Sequence, residues 1–128
     1  MKLKIKGYQV VKLELGTDSH VSPNSTNDDL SFQIGQFYND KVSNEFMLGF
    51  KVSISRVELQ LNLEMRFIFE ADSNIDEEFK QSSFPKINAP AIAFPYLRAF
   101  ISTLTMQAGY ETLMLPSFNF VEIAKKNC

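Results

Sequence analysis

The sequence predicts an α+β domain: about four antiparallel strands, then a long helix and a short C-terminal helix on one face of the sheet. Three observations carry that expectation. Val57, Leu59, Leu61, Leu63, Met65, Phe67 and Phe69 alternate with Glu58, Gln60, Asn62, Glu64 and Arg66, the period of a strand with one dry and one wet face. Phe94, Leu97, Ile101, Leu104 and Ala108 recur at spacings of three and four, the stripe by which a helix faces a core. The strand-like segments all precede the helix-like ones, an order that belongs to α+β folds and not to alternating parallel-sheet folds. Residues 1–128 read as one domain, the usual size for a single core.

Met1 to Leu15 reads as the first strand, with a change of phase. Leu3 and Ile5 share one face with Val11, Leu13 and Leu15, while Tyr8 and Val10 have the opposite parity. A bulge near Gly7, or a strand covered on both faces, accounts for this. Gly16 to Asp29 is polar, carries Gly and Pro, and reads as a long loop, either mobile or functional. Leu30, Phe32 and Ile34 begin a second strand that ends near Asn39-Asp40, and Phe46, Leu48, Phe50, Val52 and Ile54 make a third. Ser55-Arg56 then reads as a tight irregular turn into the fourth strand, with a bent continuous strand as the alternative.

After Asp72-Ser73-Asn74, the residues Asp76 to Phe79 suggest a short acidic helix or turn. The long helix is expected between Pro95 and Gly109, since proline suits a first turn and glycine the position past the last. Its face opposite the core stripe is unusual. Tyr96, Phe100, Thr103 and Gln107 line it, and Arg98 is the only charge from Ile87 to Gly109. A helix with one side in water normally carries several charges there, so a second subunit is expected to cover this one. Leu113 to Pro116 reads as extended, and Ser117 as a cap for a last short helix with Phe118, Val121 and Ala124.

Composition narrows the function. Twelve phenylalanines without a tryptophan are a large apolar load for a 14.6 kDa chain, and point to an oligomer or an apolar binding surface, with a plain Phe-rich core as the equal alternative. A net charge of −2 and a pI near 5.4 do not suit a nucleic-acid partner, which needs a clustered basic face. No apolar run suits a signal peptide or membrane insertion. The one cysteine, Cys128, has no partner for an internal disulfide, which fits a reducing cytoplasm.

Signals of catalysis are weak. His20 and Cys128 lack the third group that a nucleophilic pair needs. Nothing has the spacing of a zinc site, and the five glycines never form a phosphate loop. Asp72, Asp76, Glu77 and Glu78, and the smaller Asp28-Asp29 pair, read first as solvated turns. An acidic docking patch is the functional alternative for them. No catalytic residue, metal or cofactor is expected.

Pro90-Ala91-Ile92-Ala93-Phe94-Pro95-Tyr96-Leu97-Arg98 resembles the Pro-x-Ile-x-Phe-Pro-Tyr-x-Arg run that opens the long helix of the SecB family, bacterial protein-export chaperones. The likeness runs without a gap to Leu113-Met114-Leu115-Pro116-Ser117-Phe118-Asn119-Phe120, similar to that family's Leu-x-Leu-(x3)-Asn-Phe run. It covers about a quarter of the chain. It implies an ATP-independent holdase that binds unfolded polypeptide, assembled as a homotetramer, a dimer of dimers. Client grooves would lie between the sheet, the loop after the first strand and the last helix, with Phe32, Phe37, Tyr38, Phe118, Phe120 and Val121 as their residues, each of which also reads as ordinary core. The long helix would be the subunit interface, through Tyr96, Phe100, Thr103 and Gln107.

Such a groove needs greasy, adaptable walls without precise polar readout, which phenylalanine and methionine supply. The resemblance also implies docking of the motor ATPase SecA on an acidic sheet surface; that patch does not align here, and Glu58, Glu64 and Glu70 on the wet face of the fourth strand are the residues that could serve, with Arg66 among them. The sequence departs from the family pattern at Pro116, one place early, in the polar loop after Leu15, and in its ending at Lys125-Lys126-Asn127-Cys128. These departures bear on SecA docking more than on the fold. A SecB-like chaperone with one dedicated client, such as an antitoxin, would keep the grooves and lose that surface. The alternatives are a non-enzymatic interaction subunit of a larger complex, and an α+β domain that binds a small ligand.

Overall fold

The computed structural model describes residues 2–17 and 29–126. His20, Asp28 and Cys128, with most of the polar loop, lie outside the described residues. The sheet consists of β1 (Leu3–Gly16), β2 (Asp29–Tyr38), β3 (Glu45–Arg56) and β4 (Leu59–Ala71). Its order is β1-β4-β3-β2, and every neighbouring pair is antiparallel. The two strands that follow one another first in the sequence are therefore the two edges.

The phase problem in β1 is resolved by two register shifts, between Ile5 and Gly7 and between Val10 and Lys12. Each shift inserts one residue and so reverses which parity faces the core. As a result Leu3, Ile5, Tyr8, Val10, Leu13 and Leu15 lie opposite Ala71, Phe69, Phe67, Met65, Leu63 and Leu61, and directly opposed residues share a face. All six apolar side chains thus lie on the core side. The bulge near Gly7 is present; Val11, grouped with Leu13 by parity, is instead the residue passed over at the second shift.

The β3–β4 turn falls two residues later than the sequence suggests. Arg56 pairs with Leu59, which leaves Val57 and Glu58 as a two-residue turn, and Glu58 takes a positive φ of 66°. A single left-handed residue at the second turn position differs from the I′ turn of Asn-Gly hairpins, in which both central residues have positive φ. Val57 and Glu58 therefore leave the strand, and Glu58 is not on its wet face.

Inward residues of β3 and β4, from Phe46 to Ile54 and from Leu59 to Ala71, are buried almost completely. Each buried phenylalanine there contributes roughly 2–3 kcal/mol by burial. α1 (Glu77–Gln81) is capped by Asp76, whose carboxylate accepts from the Phe79 N–H at 2.8 Å. A five-residue π-helical turn, Phe84–Asn88, runs straight into α2 (Ala89–Gln107). Six residues of α2 thus precede Pro95, the expected start. Ala89, Pro90, Ala93 and Phe94 are buried, and burying them outweighs the proline's lost hydrogen bond. That bond would have gone to Ala91, and both residues are exposed.

The other end of α2 closes as expected. Gly109 has φ +93°, and the N–H groups of Gly109 and Tyr110 donate back to the Met106 and Thr105 carbonyls at 3.3 and 3.0 Å, a Schellman arrangement. The core stripe shifts by one position there. Thr105 is completely buried, Leu104 only partly, and Ala108 is exposed. Buried Thr105 Oγ1 donates to the Ile101 carbonyl at 2.9 Å and accepts from the Leu113 N–H at 3.0 Å, so it ties the connection after α2 to the helix. α3 (Phe120–Lys126) starts later than expected. Its cap is Asn119, whose Oδ1 accepts from Val121 and Glu122 at 3.1 and 3.3 Å. Ser117 instead accepts from the Arg98 guanidinium at 3.2 Å.

Candidate binding groove and outer helix face

β2 is an edge strand, and nothing pairs with its outer side among the described residues. Its inward side chains therefore meet whatever chain passes the sheet edge, here the π-helical turn and the residues around α3. Phe32 stacks on Phe118 with ring centroids 4.4 Å apart and planes at 11°. Phe118 in turn meets Phe94 edge-on at 5.4 Å, and Phe94 meets Phe120 at 5.7 Å. Such pairs add roughly 0.5–1.5 kcal/mol beyond area burial. Outside this aromatic wall runs an open groove of about 780 Å³, bordered by Phe32, Ile34, Gln36, Lys86, Phe118 and Ile123, among others. Gln36 donates from its amide to the Pro85 carbonyl at 3.2 Å, fixing the far wall.

Aromatic and aliphatic side chains line the groove together with Gln33, Gln36 and Lys86. Its lining among the described residues has no carboxylate, histidine, cysteine or hydroxyl. Among those residues, too, no group of three or more His, Cys, Asp or Glu could hold a metal ion. No helix described is long and apolar enough to cross a membrane.

The structure does not bring all six expected groove residues together. Phe32 and Phe118 line the groove. Phe120 is buried behind it, 8% exposed, as part of the aromatic wall. Tyr38 shares the inward face but lies at the other end of β2, against Phe46, with the Lys80 ammonium 4.9 Å above its ring. Burial, and then the neighbouring Glu77 carboxylate, raise its phenol above the ordinary value. Val121 is exposed on α3 and does not border the groove.

Phe37 points to the opposite face of the sheet. There it covers the cross-strand pair Gly35 and Gly49, where an added Cβ would meet the ring at 3.4 and 3.2 Å. Strand parity separates it from Phe32. Ile34, Lys86 and Ile123 are groove residues that the sequence reading missed. Alternation with Phe32 could have found Ile34, but nothing local marks the other two.

The outer face of α2 is apolar, as its charge pattern suggests. Tyr96 and Thr103 are exposed, Phe100 half-buried, and Ile92 and Met106 add to the same uncharged surface. Phe100, Thr103, Leu104 and Gln107 border a shallow hollow of about 400 Å³. Tyr96 leans away from it toward the sheet, 5.9 Å from Tyr8.

The outer sheet face carries mixed charge. Lys6 bonds Glu45, which raises the lysine pKa, and Lys51 pairs with Glu64 at 3.7 Å. Lys4 lies opposite Glu70, and Arg66 opposite Gly49 and Gln9.

Four antiparallel strands covered on one face by a long helix and a short C-terminal helix make the fold SecB-like. The chain belongs to the SecB family: the family model described as preprotein translocase subunit SecB matches residues 41–128. Among similar curated proteins, the protein-export protein SecB of Anaplasma phagocytophilum is 33% identical over 90 residues, 59% of this chain and 57% of that protein. An uncharacterized protein of Methanocaldococcus jannaschii, MJ0357, is 33% identical over 88 residues, 64% of this chain and 56% of that one. The chain thus spans little more than half the length of these relatives.

Two solved structures share the fold at 14% identity. One is the Mycobacterium tuberculosis SecB-like chaperone Rv1957 in complex with a peptide from the HigA1 antitoxin, with a TM-score of 0.70, covering 91% of this chain and 90% of that one. The other is a protein of unknown function from Streptococcus agalactiae, with a TM-score of 0.60, covering 91% and 98%.

Proposed function

We propose that this chain is an ATP-independent holdase that binds unfolded polypeptide in the groove beside β2 and assembles through the outer face of α2. The observation that carries this reading is the open groove with Phe32 and Phe118 on its wall and, among the described residues, no carboxylate, histidine, cysteine or hydroxyl in its lining. Extended chain offers apolar side chains, whose burial gives about 25 cal/mol per Å², and several shallow sites in one assembly reinforce one another through effective concentration. Membership of the SecB family supports the reading, as does the peptide bound to the mycobacterial chaperone. The uncharged face of α2 supports a homotetramer, a dimer of dimers, and the family supports a cytoplasmic, non-enzymatic role.

A dedicated client, such as an antitoxin, fits the surface better than hand-over to SecA. The outer sheet face offers no uninterrupted acidic patch, because Glu45 and Glu64 are paired with lysines and Arg66 sits on the same face. Size-exclusion chromatography with light scattering tests the whole reading. The expected result is a species near four times 14.6 kDa that takes up an aggregation-prone unfolded protein and ignores its folded form. A monomer or dimer that leaves aggregation unchanged sinks it, and a stable complex with one folded partner would favour an interaction subunit.

A further inference from the structure

Lys86 is the one charged side chain in the groove lining described above, and it makes no ion pair among the described residues. It is partly buried, in the π-helical turn between buried Pro85 and the partly buried Ile87. The other polar groups of the lining are the neutral amides Gln33 and Gln36, and Gln36 already donates to the Pro85 carbonyl. An extended segment with its apolar side chains against Phe32, Ile34 and Phe118 would run within reach of this ammonium. A basic residue at that point would meet uncompensated like charge while losing water, and a carboxylate would meet its complement. Complementary charge beside an apolar contact sets partner choice more than raw affinity.

We propose that Lys86 makes the groove charge-selective, so that the segments it prefers place an acidic side chain beside their apolar anchor residues. This rests on the groove being the client site, and deepens that reading by naming the client chemistry. The partly exposed geometry limits the effect to about five-fold in affinity, the upper range for an incompletely buried pair. Added salt should shrink it.

The test uses fluorescence anisotropy with a set of short labelled peptides that alternate leucine and tyrosine with polar residues. The set carries one variable position, moved along the peptide and filled by Asp, Asn or Lys. The expected result is one position at which Asp binds about five-fold more tightly than Lys, a preference that Lys86→Gln removes and Lys86→Glu reverses. Thermal melts of both variants check that the fold is intact.

Phe118→Leu, measured alongside, separates the two ideas. If Phe118→Leu weakens every peptide while the Lys86 variants leave the Asp-to-Lys ratio unchanged, the charge selection is wrong and the groove stands. If no variant alters any peptide, the groove reading itself falls, and the inference with it.

Discussion

Phe32 and Phe118 lie ring on ring, 4.4 Å between centroids, although one belongs to an edge strand and the other to the connection before the last helix. This stack closes the open side of the sheet against the C-terminal segment, and its outer surface is the groove wall. Stability and binding are therefore expected to share these two rings.

Phe118→Ala should cost about 2 kcal/mol in a urea melt, below the range for a fully buried phenylalanine because this one is partly exposed. It should also weaken binding of an unfolded probe protein. Phe118→Leu should recover most of the stability and less of the binding, since an aliphatic side chain fills space without presenting a ring face.

Thr105 is the buried polar group whose replacement is most informative. Thr105→Val keeps the shape but leaves the Leu113 N–H without its acceptor, at a cost of roughly 1–3 kcal/mol. Thr105→Ser, which keeps the oxygen, should cost about half as much or less. Chemical denaturation of the two variants distinguishes hydrogen bonding from packing.

Gly109→Ala should lower stability by about 1–2 kcal/mol. An added Cβ would meet nothing within 4 Å, so the cost arises from the backbone at φ +93° alone. A thermal melt reads it, and an unchanged melting temperature would mean that the Schellman turn is not formed in solution.

Thr103 is exposed on α2. Thr103→Arg should alter subunit stability by less than about 0.5 kcal/mol, while dissociating the proposed tetramer in sedimentation velocity. Retention of the full assembly would move the interface elsewhere.

Burial first, and Glu77 second, raise the Tyr38 phenol above 10.0. The folded state therefore holds this proton more tightly than the unfolded state does. The stability so contributed is complete below pH 10.0 and is lost as pH rises through the folded value. Denaturation midpoints across that window should fall less steeply for Tyr38→Phe than for the parent. Parallel curves would show that Tyr38 is not shielded.

The strands and the uncharged helix face were legible because each is a one-dimensional pattern. β4 kept its alternation from Leu59 to Ala71, and the phase break in β1 correctly marked a bulge near Gly7. The second shift, past Val10, restored the parity of Leu13 and was hidden because two reversals cancel. Pro95 misled because a helix boundary is decided by burial as well as by local preference. The buried Ala89, Pro90 and Ala93 extend α2 through the expected stop. Of the groove, Phe32 and Phe118 could be named, but Phe37 could not be told from Phe32 without counting strand parity across the whole of β2.

The sequence by itself determined the four strands, the order of strands before helices, the cap at Gly109 and the family, since periodicity, special backbone positions and motif runs are all local. Only the tertiary structure decided that Phe32 meets Phe118, that Thr105 and not Leu104 turns fully inward, and that Lys86 stands at the groove. Those contacts join residues far apart in the chain. Their choice depends on which surfaces remain to be buried once the sheet has formed, and no local pattern contains that.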